Sequence, residues 1–303
     1  MQWLFNIINV PLSYVLNFFA DIFGGSFAAA VFSFTVLINL VMLPLSIKSQ
    51  KSQVDQTRIK PKLDLLKQKC GDDKQKYSAE VQNLYREENV SMSGGCLPML
   101  LRLVFMMSIY YLITSPLTYL LGVSSEVVTS VSETLGITGN YNQLAIIRAV
   151  LADPKVSPEI YEALQSINFS FFGLNLTETP VFSINIIEKW NPIWIIPFIS
   201  FAAQMLTSIV TMRIQKRNNP EAPSMTGMLL FMPIISLIIG FRVPAGVAFY
   251  WACSSLISGG IQSAIQFFYG PHRMLANIRA KSIVALNASE NKYLKERVAK
   301  EEE

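Results

Sequence analysis

Long apolar stretches alternate with polar segments along the whole chain. Five of these stretches approach the roughly 20 apolar residues that a helix needs to cross a bilayer. We assign the spans to residues 25–46, 95–121, 192–212, 226–242 and 245–269. The pattern therefore predicts an all-α polytopic membrane protein with five transmembrane helices.

The first 24 residues carry a single polar stripe. Its members lie 4, 3, 4 and 4 positions apart and share one side of a helix: Gln2, Asn6, Asn9, Ser13 and Asn17. The stripe is typical of an amphipathic helix lying in the membrane interface, and we assign residues 1–24 to such a helix. A poorly apolar sixth span is the alternative. The stretch lacks the basic region and small-residue cleavage site of a signal peptide.

A strongly charged segment, residues 47–94, separates the first two spans. It contains ten Lys/Arg and seven Asp/Glu. Apolar residues recur at helical spacing on both sides of the sequence CGDD at residues 70–73, which is typical of a turn. We predict an antiparallel helical hairpin outside the membrane. An ordinary solvated charged loop is the alternative.

The distribution of charge predicts the orientation. Residues 122–191 hold seven acidic residues and three basic ones, which favours an extracytoplasmic loop. The loop 213–225 has three Lys/Arg against one Glu, and the tail 270–303 has seven Lys/Arg against five Glu. Positively charged segments stay on the cytoplasmic side. The hairpin, the 213–225 loop and the tail are thus predicted inside, with the amino terminus outside (N-out, C-in).

Composition narrows the class of protein. The 303 residues are 51% hydrophobic and 15% charged, with a mean hydropathy of +0.36, whereas soluble domains carry about 25% charged residues. The three cysteines and the lone His272 have no metal-ligand spacing. We find no nucleotide-binding loop, no nucleophile beside a base and no intramembrane carboxylate pair. We therefore expect no cofactor, no metal and no nucleic acid substrate.

Arg102 interrupts the second span. A charge at the centre of a span costs about 2.5–3.5 kcal/mol on insertion scales. Arg102 lies about 9 Å along the helix from Cys96, and Asn39 lies about 13 Å from Lys48, so both sit in the inner leaflet. The Asn39 carbonyl could accept a hydrogen bond from an arginine. Two hypotheses stay open: Arg102 reaches toward the headgroups, or it faces a water-filled cavity.

Other polar and small residues in the spans are candidates for lining such a cavity. They are Ser108, Gln204, Thr207, Ser208 and the run Ser254, Ser255, Ser258, Gly259 and Gly260. Small and polar residues more commonly serve helix–helix packing in membranes. We favour packing for the run at 254–260 and leave both roles open for Gln204.

Four motifs follow one another in a specific order. They are LPLSIKSQKS (43–52), the hairpin sequence at 60–90, GGCLPMLL (94–101) and FMPIISLIIGFRVPAGVAFYW (231–251). Together they resemble the YidC/Oxa family of membrane protein insertases, over about 27–120 and 192–270. The resemblance implies five helices around a hydrophilic groove that is open to the cytoplasm and to lipid.

The resemblance also implies roles for single residues. The family usually has an arginine in the first span, where this chain has Asn39, and commonly a glutamine in the second, where it has Arg102. Arg102 is therefore the expected groove cation. Thr35 matches a substrate-facing threonine, and Tyr250 and Trp251 match the aromatic pair after PAG. Gln204 completes the set of candidate groove residues.

The implied function is a non-enzymatic insertase and chaperone. It moves short polar segments of nascent membrane proteins across the bacterial plasma membrane. Expected partners are nascent membrane proteins and membrane lipids, with the ribosome, the signal-recognition receptor and a Sec-type translocon as candidates. A secondary transporter or channel is one alternative, although we find no convincing internal repeat. A structural assembly scaffold is the other.

Overall fold

The computed structural model describes residues 2–91, 96–139, 141–181, 191–218 and 226–270 and six isolated positions after them. Most of the predicted basic tail and the second half of the 213–225 loop lie outside the described residues.

The described residues are mostly helical, as expected for an all-α membrane protein. In chain order the helices are α1 (Gln2–Ile22), α2 (Phe27–Val41), α3 (Leu43–Cys70), α4 (Lys74–Glu87), α5 (Cys96–Thr114), α6 (Pro116–Tyr119), α7 (Ser125–Thr134), α8 (Asn142–Ala152), α9 (Pro158–Leu164), α10 (Ile195–Asn218), α11 (Thr226–Gly240) and α12 (Ala245–Tyr269). Two short strands, β1 (Ser170–Phe171) and β2 (Leu174–Asn175), form an antiparallel hairpin.

The chain divides into two compact units. The first contains the described residues within 1–43, 100–216 and 221–261, and the second contains those within 44–99, 217–220 and 262–303. All the candidate groove residues belong to the first unit, and the charged hairpin belongs to the second.

One helix among the described residues, Pro192–Ile214, is long and apolar enough to cross a bilayer by itself. Phe27–Val41 and Leu43–Cys70 meet the same criterion together, as a helix pair broken between them. Leu100–Thr114 and Leu229–Gly240 are apolar but shorter. The five-span arrangement therefore stays a prediction.

Prolines explain where two predicted spans are interrupted. The first predicted span ran to residue 46, but α2 ends at Val41 and a new helix begins at Leu43, with Pro44 in its first turn. The second ran to residue 121, but α5 ends at Thr114 and α6 begins at Pro116. Proline has no N–H and disfavours a helical conformation at the residue before it, so it fits the first turn of a new helix.

The described residues between 122 and 181, here called the connecting segment, are folded rather than an open loop. Ile146, Ile147 and Val150 of α8 are fully buried in the core of the first unit. Burying an aliphatic side chain of this size contributes about 1.5–3 kcal/mol. Gln143 joins the segment to α6: its Nε2 donates to Thr118 Oγ1 at 2.8 Å, and its Oε1 accepts from the Thr118 N–H at 3.2 Å.

The connecting segment also binds the start of α12. The N–H groups of Ala245 and Gly246 donate to the carbonyls of Glu178 (2.7 Å) and Leu176 (2.8 Å). The first N–H groups of a helix have no partner within the helix. The connecting segment therefore supplies the acceptors that α12 lacks.

A second backbone connection fixes the turn between α1 and α2. The Phe27 N–H donates to the Asn168 carbonyl at 3.0 Å, and the Asn168 N–H donates to the Gly25 carbonyl at 2.8 Å. Gly25 has φ +82°, and a Cβ there would overlap the Ser166 carbonyl oxygen. This turn requires glycine for both its conformation and its close approach.

In the second unit, α3 and α4 are joined by a three-residue turn. Gly71 has φ +55°, and the Asp73 side chain caps α4 by accepting from the Lys76 N–H at 3.0 Å. Glu88 follows α4 and pairs back to α3 through Arg58 at 3.2 Å and through Lys62. These contacts connect residues 26 and 30 positions apart, which is what an antiparallel helix pair requires.

We expect Glu88→Gln to loosen the contact between α3 and α4 at neutral pH. The hydrogen bond from Lys62, helped by the charges of Lys62 and Arg58, lowers the pKa of the Glu88 carboxyl, although desolvation opposes it. A lowered pKa in the folded state stabilises the hairpin above the unfolded-state pKa, and the effect is lost as pH falls through the folded-state value. Amide hydrogen exchange in α4 should be faster in the variant than in the wild type at pH 7. The difference should shrink as pH falls below the ordinary glutamate pKa of about 4.3.

Glu87→Gln is the matched control, since it removes a neighbouring carboxylate that forms no ion pair with the described residues. Equal exchange in the Glu88→Gln variant and the wild type at pH 7 would contradict the proposed ion pairing.

Candidate substrate groove

Arg102 lies on α5 between the exposed apolar residues Leu101 and Leu103, and its own side chain is exposed in the isolated chain. Its guanidinium is close enough to the hydroxyl of Tyr250, on α12, for the two groups to interact electrostatically. Tyr250 is otherwise buried. The structure thus places a cation of α5 near a hydroxyl group of α12.

Thr35 and Asn39 are bonded within their own helix. Thr35 is buried, and its Oγ1 donates to the Val31 carbonyl at 2.6 Å. Asn39 is half-buried, and its Nδ2 donates to the Thr35 carbonyl at 2.8 Å. Among the residues that the structure describes, Asn39 forms no hydrogen bond with Arg102, contrary to the pairing that the sequence suggested. The carbonyl four residues back is always within reach on a helix, so this local bond needs no second helix.

Gln204 also forms a local bond. Its Nε2 donates to the Ser200 hydroxyl at 3.0 Å, one turn earlier on α10, and Ser200 is buried. Trp251 is half-buried and packs against the core of the first unit. Ser108 is fully buried, and its hydroxyl has no hydrogen-bond partner among the described residues.

Two small residues of α12, Ser255 and Gly259, lie close to Thr207 of α10. The Thr207 hydroxyl donates to the Ala203 carbonyl at 2.8 Å and lies 3.3 Å from the Ser255 carbonyl of α12. A Cβ at Gly259 would overlap Thr207 Cγ2 and lie 2.9 Å from Thr207 Oγ1. This geometry supports a packing role for Ser255 and Gly259, whereas a Cβ at Gly260 would meet nothing within 4 Å.

The structure therefore brings some of the candidate groove residues close together, while others bond only within their own helices. Arg102 and Tyr250 lie near each other. Thr35, Asn39 and Gln204 remain candidates, but their described hydrogen bonds lie within α2 and α10. Within the described ranges, no group of three His, Cys, Asp or Glu residues could hold a metal ion.

Comparison with known proteins gives the family. Residues 18–270 match the family model described as 60Kd inner membrane protein. This chain belongs to that family. The match includes the described groove candidates on α2, α5, α10 and α12 and all four motifs.

Curated relatives carry the name membrane protein insertase YidC. The chain is 24% identical over 258 residues to YidC of Fusobacterium nucleatum, covering 85% of this chain and 94% of the relative. It is 26% identical over 255 residues to YidC 1 of Listeria monocytogenes, covering 83% and 68%. It is 27% identical over 256 residues to YidC of Rickettsia bellii, covering 84% of this chain but 38% of that longer protein.

The family is one of membrane insertases of the bacterial cell membrane, and the resemblance inferred from the four motifs is confirmed. The transporter and scaffold alternatives are not favoured, since the matched relatives are named insertases.

Proposed function

We propose that this chain is a membrane protein insertase that moves short polar segments of nascent membrane proteins through a positively charged groove containing Arg102. One observation carries the proposal: in a chain of the YidC family, an arginine with an exposed side chain interrupts the apolar helix α5. Among the described residues, no acidic side chain forms a salt bridge with Arg102. Its charge is therefore free to attract an acidic residue of a client.

The proposed role of the groove is to shorten the distance that a polar segment must cross through hydrocarbon without water. A polar segment crossing an intact bilayer must lose its water, and a single aspartate at the centre costs about 2.5–3.5 kcal/mol. An ion pair at 4 Å in a medium of effective dielectric constant 20 gives about 4 kcal/mol before other costs. A transient pair with Arg102 is therefore large enough to offset much of the cost of one client carboxylate. The steps are binding and partitioning, without covalent chemistry, so the proposed activity is not enzymatic.

The proposed topology follows the sequence. Helices α2, α5, α10, α11 and α12 are the five spans, in the N-out, C-in orientation, and surround the groove. The hairpin, the 213–225 loop and the 270–303 tail face the cytoplasm, and residues 122–191 face outward. Support comes from the distribution of Lys and Arg.

The proposed partners are nascent membrane proteins and the surrounding lipids. The charged hairpin and the basic tail are the proposed contacts for the ribosome or the signal-recognition receptor, and a Sec-type translocon is a further proposed partner. We propose that the chain crosses the bacterial plasma membrane several times.

Thiol labelling tests whether position 102 faces water. With Cys70, Cys96 and Cys253 replaced by serine, we expect Arg102→Cys to react with a membrane-impermeant maleimide added from the cytoplasmic side. It should react at least about tenfold faster than Leu103→Cys, because the reactive thiolate needs a hydrated environment. Leu103 is the matched control, since it is the next residue on α5 and is an exposed apolar residue. Equally slow labelling at both positions would favour an arginine that lies among lipids and reaches toward the headgroups.

A further inference from the structure

The β-hairpin of the connecting segment presents an aromatic side chain at its tip. Phe172 and Gly173 form the two-residue loop between β1 and β2. The Phe172 side chain is 92% exposed, more than any other large apolar residue that the structure describes. A single exposed apolar residue is common on protein surfaces, so exposure alone does not indicate a binding surface.

The backbone of the loop is unfavourable for phenylalanine. Phe172 has φ +48° and Gly173 has φ +79°, as in the type I′ turns that close two-residue hairpins. Asparagine and glycine adopt this left-handed conformation readily, whereas a residue with a large side chain does so at a cost. Within the described protein, the Phe172 ring contacts the ring of Phe171 edge-on, with the centroids 4.7 Å apart. The position therefore combines a residue that the turn disfavours with a side chain that is open to an external contact.

Phe171 holds the hairpin against the first turns of α12. Its ring centroid lies 4.7 Å from that of Phe249. Phe249 is about 6 Å along the helix axis from Ala245, the first residue of α12. Strand β2 also contacts the turn Pro192–Trp194, which immediately precedes α10. The tip of the hairpin is thus held beside the starts of two of the proposed membrane spans.

The first turns of α10 carry an apolar and exposed face. Ile195, Phe198 and Ile199 follow one another at the i, i+3, i+4 spacing of one helix face and are 48%, 45% and 50% exposed. They belong to the helix Pro192–Ile214, which is long and apolar enough to cross a bilayer by itself. The hairpin therefore lies next to the start of a helix whose exposed face is suited to contact with lipid.

The chemistry of the hairpin favours lipid over a charged partner. No charged residue occurs between Glu162 and Glu178. The loop itself offers a phenyl ring and a glycine, without a side-chain hydrogen-bond donor or acceptor. A phenylalanine without neighbouring charges is typical of residues that enter the boundary between lipid headgroups and acyl chains.

We propose that the hairpin enters the lipid leaflet beside α10 and α12, with the Phe172 ring among the upper parts of the acyl chains. The ring anchors the connecting segment to the membrane and holds the starts of these two helices at a fixed depth. The proposal rests on one part of the proposed topology, in which α10 and α12 cross the membrane. It does not depend on the charge of Arg102 or on the insertion of clients.

Fluorescence quenching by brominated lipids tests this assignment. The full-length chain, with Cys70, Cys96 and Cys253 replaced by serine, carries an NBD label at one new cysteine in phosphatidylcholine vesicles. Lipid brominated near the top of its acyl chains should quench a label at Phe172→Cys at least about threefold more strongly than one at Glu133→Cys, because only a label in the membrane boundary meets the bromine atoms. Glu133 is the control because it is an exposed, charged residue of the same connecting segment. Iodide in the buffer should show the opposite preference.

Phe198→Cys separates this proposal from the topology on which it rests. A label there, on the exposed face of α10, should be quenched by the brominated lipid if α10 is a membrane span. Quenching at position 198 but not at position 172 would overturn the proposal and leave the topology intact. Quenching at neither position would overturn both. Protection of position 172 from iodide without quenching by lipid would assign the hairpin tip to a contact with protein instead.

Phe172→Asn removes the ring while keeping the turn. Because asparagine adopts the left-handed conformation more readily, the thermal unfolding temperature of this variant in detergent should equal or exceed that of the wild type. In vesicles, amide hydrogen exchange in β1 and β2 should instead be faster in the variant, since lipid no longer holds the tip. Equal or slower exchange in vesicles would contradict a lipid contact of the Phe172 ring.

Discussion

Arg102→Ala is expected to lower the insertion rate of a client whose translocated segment is acidic by about tenfold or more, since 1.36 kcal/mol of lost stabilisation is a factor of ten in rate. The ion pair available to Arg102 exceeds this value before other costs. The measurement is protease protection of the translocated segment in proteoliposomes, with two single-span clients that differ only in acidic or neutral residues. The insertion rate of the neutral client should fall much less than that of the acidic client.

Two further variants test whether charge, rather than the side chain itself, is required. Arg102→Lys should keep most of the activity. Asn39→Arg combined with Arg102→Gln should restore it, because the family resemblance places the usual cation at position 39. Arg242→Ala, which removes an exposed arginine between α11 and α12, is the control for loss of positive charge elsewhere. Wild-type insertion of the acidic client by Arg102→Ala would disprove the role of the groove charge.

Gly259→Ala is expected to destabilise the first unit by about 1–3 kcal/mol, the usual cost of overpacking a close contact. The new methyl group would meet the branched Thr207 side chain, whose hydroxyl is already bonded to the Ala203 carbonyl. Either α10 and α12 must separate or Thr207 must rotate and lose that bond. A lower thermal unfolding temperature of the purified protein in detergent should show this.

Gly260→Ala is the matched control, because a Cβ at that neighbouring position meets nothing within 4 Å. The alanine there should be neutral or slightly stabilising, since it restricts the unfolded chain. In a Thr207→Ala background, Gly259→Ala should lower the free energy of unfolding much less, as expected for two residues in direct contact. An equal loss of stability for both glycine variants would show that the close contact is not the cause.

Helix content and family could be predicted from this sequence because they depend on long, repeated signals. Apolar stretches of about 20 residues and motifs of eight to 31 residues persist even where single residues differ. The turn at residues 70–73 could be predicted equally well, since Gly71 and the capping residue Asp73 act locally. The helix ends at Val41 and Thr114 lie close to Pro44 and Pro116, and hydropathy alone does not show such breaks.

Side-chain partners were harder to predict because they depend on which helices become neighbours. The Asn39 amide has both a donor and an acceptor: its Nδ2 bonds within its own helix, and the sequence does not show which group its carbonyl oxygen meets. The stripe on α1 was recognised, but its direction depended on α6, which offers Tyr119 and the Leu120 carbonyl. A period of polar residues shows that they share a face and does not show whether that face contacts water or protein.

The contact between the connecting segment and the start of α12 has a consequence for how this protein is made. Leu176 and Glu178 are synthesised about 70 residues before Ala245 and Gly246. At typical synthesis rates, the N–H groups that bond to the Leu176 and Glu178 carbonyls are therefore made several seconds later. Until then the segment lacks its final backbone partners. Completion of the first unit is thus a late event in the biogenesis of an insertase, set by the arrival of its last helix.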